Sequence, residues 1–184
     1  MTELACTPGQ TVGPYLHLGL PYPGDNRLVA DAHPGSIRLH GTVYDGAGDA
    51  VPDALVEISQ AGPDGRMLRR EGSLRRDEAT FTGWGRCATD TAGHYSFSTM
   101  TPGAPDGRAA FFAIVVFARG LLNRVFTRAY LPDSDLAADR LLGALDASRR
   151  QTLICAGENG GYRFDIHLQG ANETVFLAYR GDPE

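Results

Sequence analysis

From Ile37 onward, apolar residues alternate with polar ones, and the alternation is interrupted by Gly- and Pro-rich turns rather than by helix caps. Ile37, Leu39, Gly41 and Val43 mark a first strand. The turn Asp45-Gly46-Ala47-Gly48 follows, and Val51 to Ile58 reads as the second strand of a hairpin-like unit. After the turn Gly62-Pro63-Asp64-Gly65, the stretch from Met67 to Phe81 is charged, irregular and rich in Arg. Gly83 to Asp90 then leads through Ala92-Gly93 into Tyr95 to Thr99, a second turn-linked pair, and Thr101 to Gly107 is a Pro/Gly loop. Ala109 to Ala118 is apolar on both faces, which predicts a central strand, and Val125 to Leu131 is the next strand. Thr152 to Cys155 and Tyr162 to Leu168 are predicted strands, and Glu173 to Tyr179 closes the sheet. Helical spacing is confined to Asp135 to Leu145, with Ser134 or Asp133 as its cap and Leu136, Ala137, Leu141, Leu142 and Leu145 on one face. About eight or nine short strands at close spacing predict a mainly β fold, an antiparallel β-sandwich with one short helix.

The first 35 residues do not follow this rule. Turn formers recur (TPGQTVGPY, then GLPYPGDN), yet Val12, Tyr15, Leu16, Leu18, Leu20 and Tyr22 are too apolar to be left in water. The organisation expected is therefore an irregular N-terminal arm over residues 1–35, packed on the body or on a neighbour, and a sandwich domain over residues 36–184.

Composition narrows the function only by exclusion. A chain of 184 residues suits one domain, and its 42% hydrophobic and 21% charged residues are ordinary for a globular protein. A net charge of -5 without blocks of like charge gives no reason to expect nucleic acid or an anionic membrane as partner. Cys6, Cys87 and Cys155 are odd in number and widely spaced, which argues against a disulfide framework or a zinc site. The start has neither a basic nor an apolar leader pattern, and no apolar run approaches the ~18 residues of a membrane helix. A cytoplasmic, reduced protein is the expectation.

The common catalytic signatures GxSxG, GxGxxG, HExxH and the phosphate-binding loop are absent. The five His residues, His17, His33, His40, His94 and His167, form no HxH or HxxxH pair. Asp64, Asp77 and Glu78 lie among arginines and read more simply as a solvated ionic surface than as an acid/base pair. Arg128 is a better candidate. On its strand it shares a face with Phe126 and Tyr130, an arrangement suited to an aromatic carboxylate because guanidinium pairs bidentately with carboxylate. An Arg in an interfacial ion pair is the equal alternative. In the arm, Thr11-Val12-Gly13-Pro14-Tyr15 offers backbone amides beside a Gly, so that a ligand or another chain can approach closely.

Five segments in order, TPGQTVGPYLHLGL, LHGTVYDGAGDAVPDALVEISQA, GWGRCATDTAGHYSFSTMTPG, FARGLLNRVFTRAYLPD and YRFDIHLQGANETVF, resemble the intradiol ring-cleavage dioxygenases from about Thr7 to Phe176. FARGLL with TRAYLPD, and YRFDI with ETVF, point to the non-iron-binding subunit type within that family. The resemblance implies an intradiol-type β-sandwich paired with a homologous beta subunit in a higher alpha-beta oligomer, with non-haem iron(III) in the complete enzyme bound by that beta subunit. It also implies 3,4-dihydroxybenzoate and dioxygen as substrates. In the family the iron is held by two Tyr and two His. The corresponding positions here are Met67 after Gly65-Arg66, Ala104 or Pro105 in the Thr101 to Gly107 loop, and Phe111 and Ala113 on the following strand. Met is a poor ligand for ferric iron, and Phe and Ala offer no donor. No metal ligand and no catalytic residue is therefore expected in this chain, and the isolated chain is expected to be inactive.

By the same resemblance, Thr11, Gly13, Pro14 and Tyr15 line the mouth of an active site formed with the beta subunit, and Arg128 points toward the substrate region. Two rival readings stand beside this one. The first is a β-sandwich binding or structural module without a dioxygenase partner, and the second is a self-sufficient metalloenzyme using the scattered His residues.

Overall fold

The computed structural model describes residues 9–13, 15–68, 76–77, 79–105 and 109–179. Among them nine strands form two stacked sheets. β1 (Ser36–Tyr44), β4 (His94–Met100), β7 (Ala156–Glu158), β8 (Gly161–Arg163) and β9 (Ile166–His167) build the first, in the order β4-β1-β8-β7 with β9 also on β1. β2 (Leu55–Ser59), β3 (Trp84–Ala88), β5 (Phe111–Phe117) and β6 (Val125–Tyr130) build the second, in the order β3-β2-β5-β6 and antiparallel throughout. Leu39, Val43, Tyr95 and Phe97 of one sheet meet Val56, Ile58, Phe112, Ile114 and Val116 of the other in a single buried core. This sandwich is the predicted architecture, and β5 is internal as its apolar run implied. No helix of the described residues is long and apolar enough to cross a membrane.

Both turn-linked pairs close with local antiparallel bonds, Tyr44 bridging Ala50 and the Asp90 N–H donating to the His94 carbonyl, but neither continues as a hairpin. The Asp45 carboxylate accepts the N–H groups of Ala47 and Asp49, and that of Asp90 accepts those of Ala92 and His94. Both turns form as their sequences suggest. Yet β1 and β4 belong to one sheet, β2 and β3 to the other, so each turn is a corner between sheets. The reason is competition for edges: β1 already has β4 on one side and β8 and β9 on the other, leaving no ladder for β2. Those β8 and β9 pairings are parallel, a departure from the otherwise antiparallel pattern.

The predicted strand over Tyr162 to Leu168 is split into β8 and β9. At the break the Asp165 carboxylate accepts the Thr42 N–H at 3.0 Å, replacing a ladder bond that the backbone does not supply. Thr152 to Cys155 is not a strand but a turn, with one bridge between Ile154 and Tyr130. Glu173 to Tyr179 carries no strand either, although the Leu177 N–H reaches the Phe126 carbonyl at 2.8 Å and so lies along the free side of β6.

Two regions are more helical than predicted and one less. α1 (Leu16–Gly19) is a single turn in the arm, and α3 (Ala147–Gln151) follows the predicted helix. That helix is itself broken into a 3-10 turn, Leu136–Ala138, and α2 (Arg140–Gly143). The cap is Asp139, not Asp133 or Ser134: the Ser134 hydroxyl instead donates to the Leu131 carbonyl. The apolar face survives the break. Leu136, Leu141, Leu142 and Leu145 pack with Ala109, Phe111, Tyr130, Leu153 and Val175 into a second, smaller core on the outer side of the second sheet.

The arm divides in two. Leu28 and Val29 are fully buried, and the Leu28 N–H is tied to the Ser98 carbonyl of β4 at 2.8 Å, so this half is part of the body. The half before Leu20 leaves apolar side chains in water, as described next.

Candidate functional site

Strand alternation sends Phe111, Ala113, Val115 and Phe117 of β5 to the outer face of the second sheet, opposite the buried Phe112, Ile114 and Val116. Ala113 stands in register with Ser59 of β2 and with Arg128 of β6, and Phe111 with Tyr130. The loop after β2 carries Met67. It touches the loop that carries Ala104, since the Gly103 N–H donates to the Gly62 carbonyl at 2.9 Å. Gly65, at φ 79°, makes that approach possible, because a Cβ there would lie 2.6 Å from the Ala104 carbonyl oxygen. The four positions at which the sequence resemblance expects metal ligands thus lie on two touching loops and one strand, and they carry a thioether, a methyl, a phenyl and a methyl. Among the described residues no group of three or more His, Cys, Asp or Glu could hold a metal ion. A ferric centre needs oxygen and nitrogen donors, and this donor set does not fit one.

Arg128 occupies that same face. Its guanidinium lies 4.3 Å from the centroid of the Phe111 ring, a cation–π contact, and its Nη1 donates to the Tyr130 hydroxyl at 3.0 Å. The hydroxyl in turn donates to Asp139 Oδ1 at 3.1 Å, and that same oxygen accepts the N–H groups of Leu141 and Leu142. Burial raises the Tyr130 pKa, the Arg128 guanidinium opposes that, and the Asp139 carboxylate adds to it; the phenol stays protonated and acts as donor. Beside this chain of bonds is a cavity of about 470 Å³ lined by Arg128, Ala138, Asp139, Arg140 and Leu141. Asp139→Ala removes a helix cap and leaves the Tyr130 hydroxyl without its acceptor. The expected cost is about 2–4 kcal/mol, read by chemical denaturation, and a loss below about 0.5 kcal/mol would show that Asp139 holds neither.

The arm residues lie elsewhere. Thr11 Oγ1 accepts the Gly120 N–H at 3.0 Å, and the Gly13 N–H reaches the same oxygen at 3.4 Å, which fixes the arm to the turn between β5 and β6. Further along, Arg86 Nη1 donates to the Leu20 carbonyl at 3.1 Å. Tyr15 is 76% exposed, Leu18 66%, and Leu122 of the adjacent turn 65%. These are large apolar groups without cover among the described residues. Pro14 lies outside the described residues. The structure therefore joins Thr11 and Gly13 to one turn but does not bring Arg128 to them: Arg128 faces Ala113, four residues and roughly 13 Å of strand before Phe117.

The cation that does stand beside the arm is Arg119, next to Gly120, with its Nε 3.2 Å from Asp53 Oδ2. Sequence reasoning passed over it. Its available signal was position, since it follows the predicted strand directly in the segment FARGLL. Cys87 and Cys155 are free thiols; burial raises both pKa values, that of Cys155 to about 12, which favours the protonated thiol over the thiolate. Cys6 lies outside the described residues.

The Dioxygenase family (Dioxygenase_C) matches residues 13–170, and the chain belongs to the intradiol ring-cleaving dioxygenases. Within that family it is homologous to the alpha chain of protocatechuate 3,4-dioxygenase. It is 36% identical over 198 residues to that chain from Burkholderia cepacia, covering 96% of this chain and 99% of the relative. The beta chain of protocatechuate 3,4-dioxygenase from the same organism is 33% identical over 155 residues, covering 75% of this chain and 66% of that one. Among solved structures, the dioxygenase domain of a dioxygenase carbohydrate-binding protein fusion from Streptomyces sp. SirexAA-E has the same fold, with a TM-score of 0.60 at 24% identity over 90% of this chain and 99% of that one.

Proposed function

We propose that this chain is the non-iron-binding subunit of a cytoplasmic protocatechuate 3,4-dioxygenase. It assembles with a homologous beta subunit into a higher alpha-beta oligomer. The complete enzyme cleaves 3,4-dihydroxybenzoate by inserting both atoms of dioxygen between the two hydroxyl-bearing carbons, giving 3-carboxy-cis,cis-muconate. The observation that carries the reading is a contrast. End-to-end similarity to an alpha chain goes with ligand positions occupied by Met67, Ala104, Phe111 and Ala113, none of which suits iron. The non-haem iron(III) of the complete enzyme accordingly belongs to the beta subunit, and this chain contributes walls and charge.

Its own residues have a clear division of work. The arm covers a face of the beta subunit by burying Val12, Tyr15 and Leu18, which are exposed among the described residues. Thr11, Gly13, Pro14 and Tyr15 line the mouth of the site so formed, excluding water and admitting the ring. Arg128, on the outer face of β6 opposite Ala113, is the cation that this reading turns toward the substrate carboxylate.

The test is to co-produce the tagged chain with a candidate beta subunit, then measure the mass of the purified assembly and its iron. A stable alpha-beta complex with one iron per pair is expected. Iron in the chain purified alone, or no association with any beta subunit, would overturn the reading.

A further inference from the structure

We propose that Arg86 is a positioning residue for ring cleavage: paired with Glu57 and resting on Trp84, it holds the arm at Leu20 and so sets where Tyr15 stands at the mouth of the site. The effect on substrate rests on the function proposed above, whereas the hold on the arm rests on the geometry of this chain.

The arm changes character at this point. After Tyr22 it belongs to the body, with Asp25 and Leu28 buried; before Leu20 it leaves Leu18 and Tyr15 in water. A pair of arginines stands at the boundary. Arg86 Nη1 donates to the Leu20 carbonyl at 3.1 Å, while its Nη2 is 2.6 Å from Glu57 Oε1. Beyond Pro21, Arg76 Nη2 donates to the Tyr22 hydroxyl at 3.0 Å, and its Nη1 donates to the Thr82 hydroxyl. Both guanidinium groups lie against the Trp84 ring, Arg86 at 5.1 Å and Arg76 at 5.7 Å from its centroid. The arm is gripped on either side of Pro21, where its exposed half begins.

The side chains of Arg86 and Glu57 are only 15% and 18% exposed, so solvent ions screen their attraction little. A guanidinium forks its donors in one plane, which lets Arg86 meet a carboxylate and a carbonyl at once while its face rests on an indole. The placement gives the grip its meaning. Glu57 is in register with Arg86 on one side and Val115 on the other, so this row lies on the outer face of the second sheet. The neighbouring row, two residues or roughly 7 Å along the strands, runs through Trp84, Ser59 and Ala113, and Ala113 is one of the positions from which a metal ligand is missing. Thr11 ties the other end of the exposed half to Gly120, beyond β5. Tyr15 lies between these two anchors, and they decide where its exposed ring stands.

The experiment compares the unaltered assembled enzyme with its Arg86→Lys variant. A lysine has one nitrogen: it can meet Glu57 and keep the charge balanced, but it cannot also hold Leu20 and rest on Trp84. With 3,4-dihydroxybenzoate, KM is expected to rise about fivefold or more while kcat per iron stays within about twofold, since the arm shapes the entrance rather than the reacting centre. Amide hydrogen exchange of residues 16–20 in the full-length chain is expected to quicken about tenfold or more. Glu57→Gln keeps the shape of the pair and decides the matter if the lysine variant does not fold; it is expected to move both quantities in the same direction. Unchanged exchange, unchanged KM in an active enzyme, or a fall in kcat alone would overturn the proposal. If exchange quickens but the unaltered enzyme takes up no oxygen with 3,4-dihydroxybenzoate, the hold on the arm stands and the proposed function falls.

Discussion

Deleting residues 1–15 from this chain is expected to lower ring cleavage by the assembled enzyme about tenfold or more, or to prevent assembly altogether. Tenfold corresponds to only ~1.4 kcal/mol, and burying a single large apolar side chain against a partner is worth about 1.5–3 kcal/mol. The deletion removes two such groups, Val12 and the 76% exposed Tyr15, together with the Thr11 bond to Gly120. It also unties the remaining arm from the β5–β6 turn, so Leu18 loses its placement, while Leu20 keeps the Arg86 bond to its carbonyl. Because Leu28 and Val29 are anchored on β4 independently, the body of the chain is expected to fold without residues 1–15. Sedimentation separates the two outcomes, loss of complex or a complex with a defective site. A truncated chain that assembles normally and gives the full rate would show that the arm is not part of the site.

Gly41→Ala carries the largest expected loss of stability. β1 passes the Asp165 break between β8 and β9 so closely that a Cβ at position 41 would lie 1.9 Å from the Phe164 carbonyl oxygen and 3.1 Å from the Tyr95 hydroxyl. The neighbour is backbone, and it cannot swing aside as a long side chain would. The Phe164 carbonyl also accepts the hydroxyl of the buried Tyr95, a bond that any displacement breaks. The substitution should cost at least about 3 kcal/mol, the upper end of overpacking penalties, or a fall in Tm of roughly 6–12 °C at this chain length. Thermal unfolding that moves by less than about 2 °C would mean that the strand can shift at almost no cost, contrary to the packing described.

Much of this architecture was legible in the chain. Alternation located β1, β2, β4, β5 and β6, and the apolar run of Phe111 to Phe117 marked an internal strand before any pairing was known. Turn chemistry was legible too, in Asp45 and Asp90, but it does not say which sheet comes next. That depends on which edges are already taken, a non-local fact. The same limit explains the broken helix. Asp is disfavoured in helix interiors, but what breaks the helix at Asp139 is its use as a cap and as acceptor for Tyr130, nine residues away.

The candidate site divides along similar lines. The missing ligand types at Met67, Ala104, Phe111 and Ala113 could be read residue by residue, because donor chemistry is local. The grouping of Arg128 with the arm could not. Both segments are suited to ligands, but the β5–β6 register separates them along the sheet and leaves Arg119 beside Thr11 instead.

Oxygen uptake with 3,4-dihydroxybenzoate, measured for this chain alone and for the chain co-produced with a beta subunit, tests the central claim most directly. Uptake with one dioxygen consumed per ring cleaved, only in the co-produced sample, is the predicted result. Uptake by the isolated chain, or none from an iron-loaded alpha-beta complex, would contradict it.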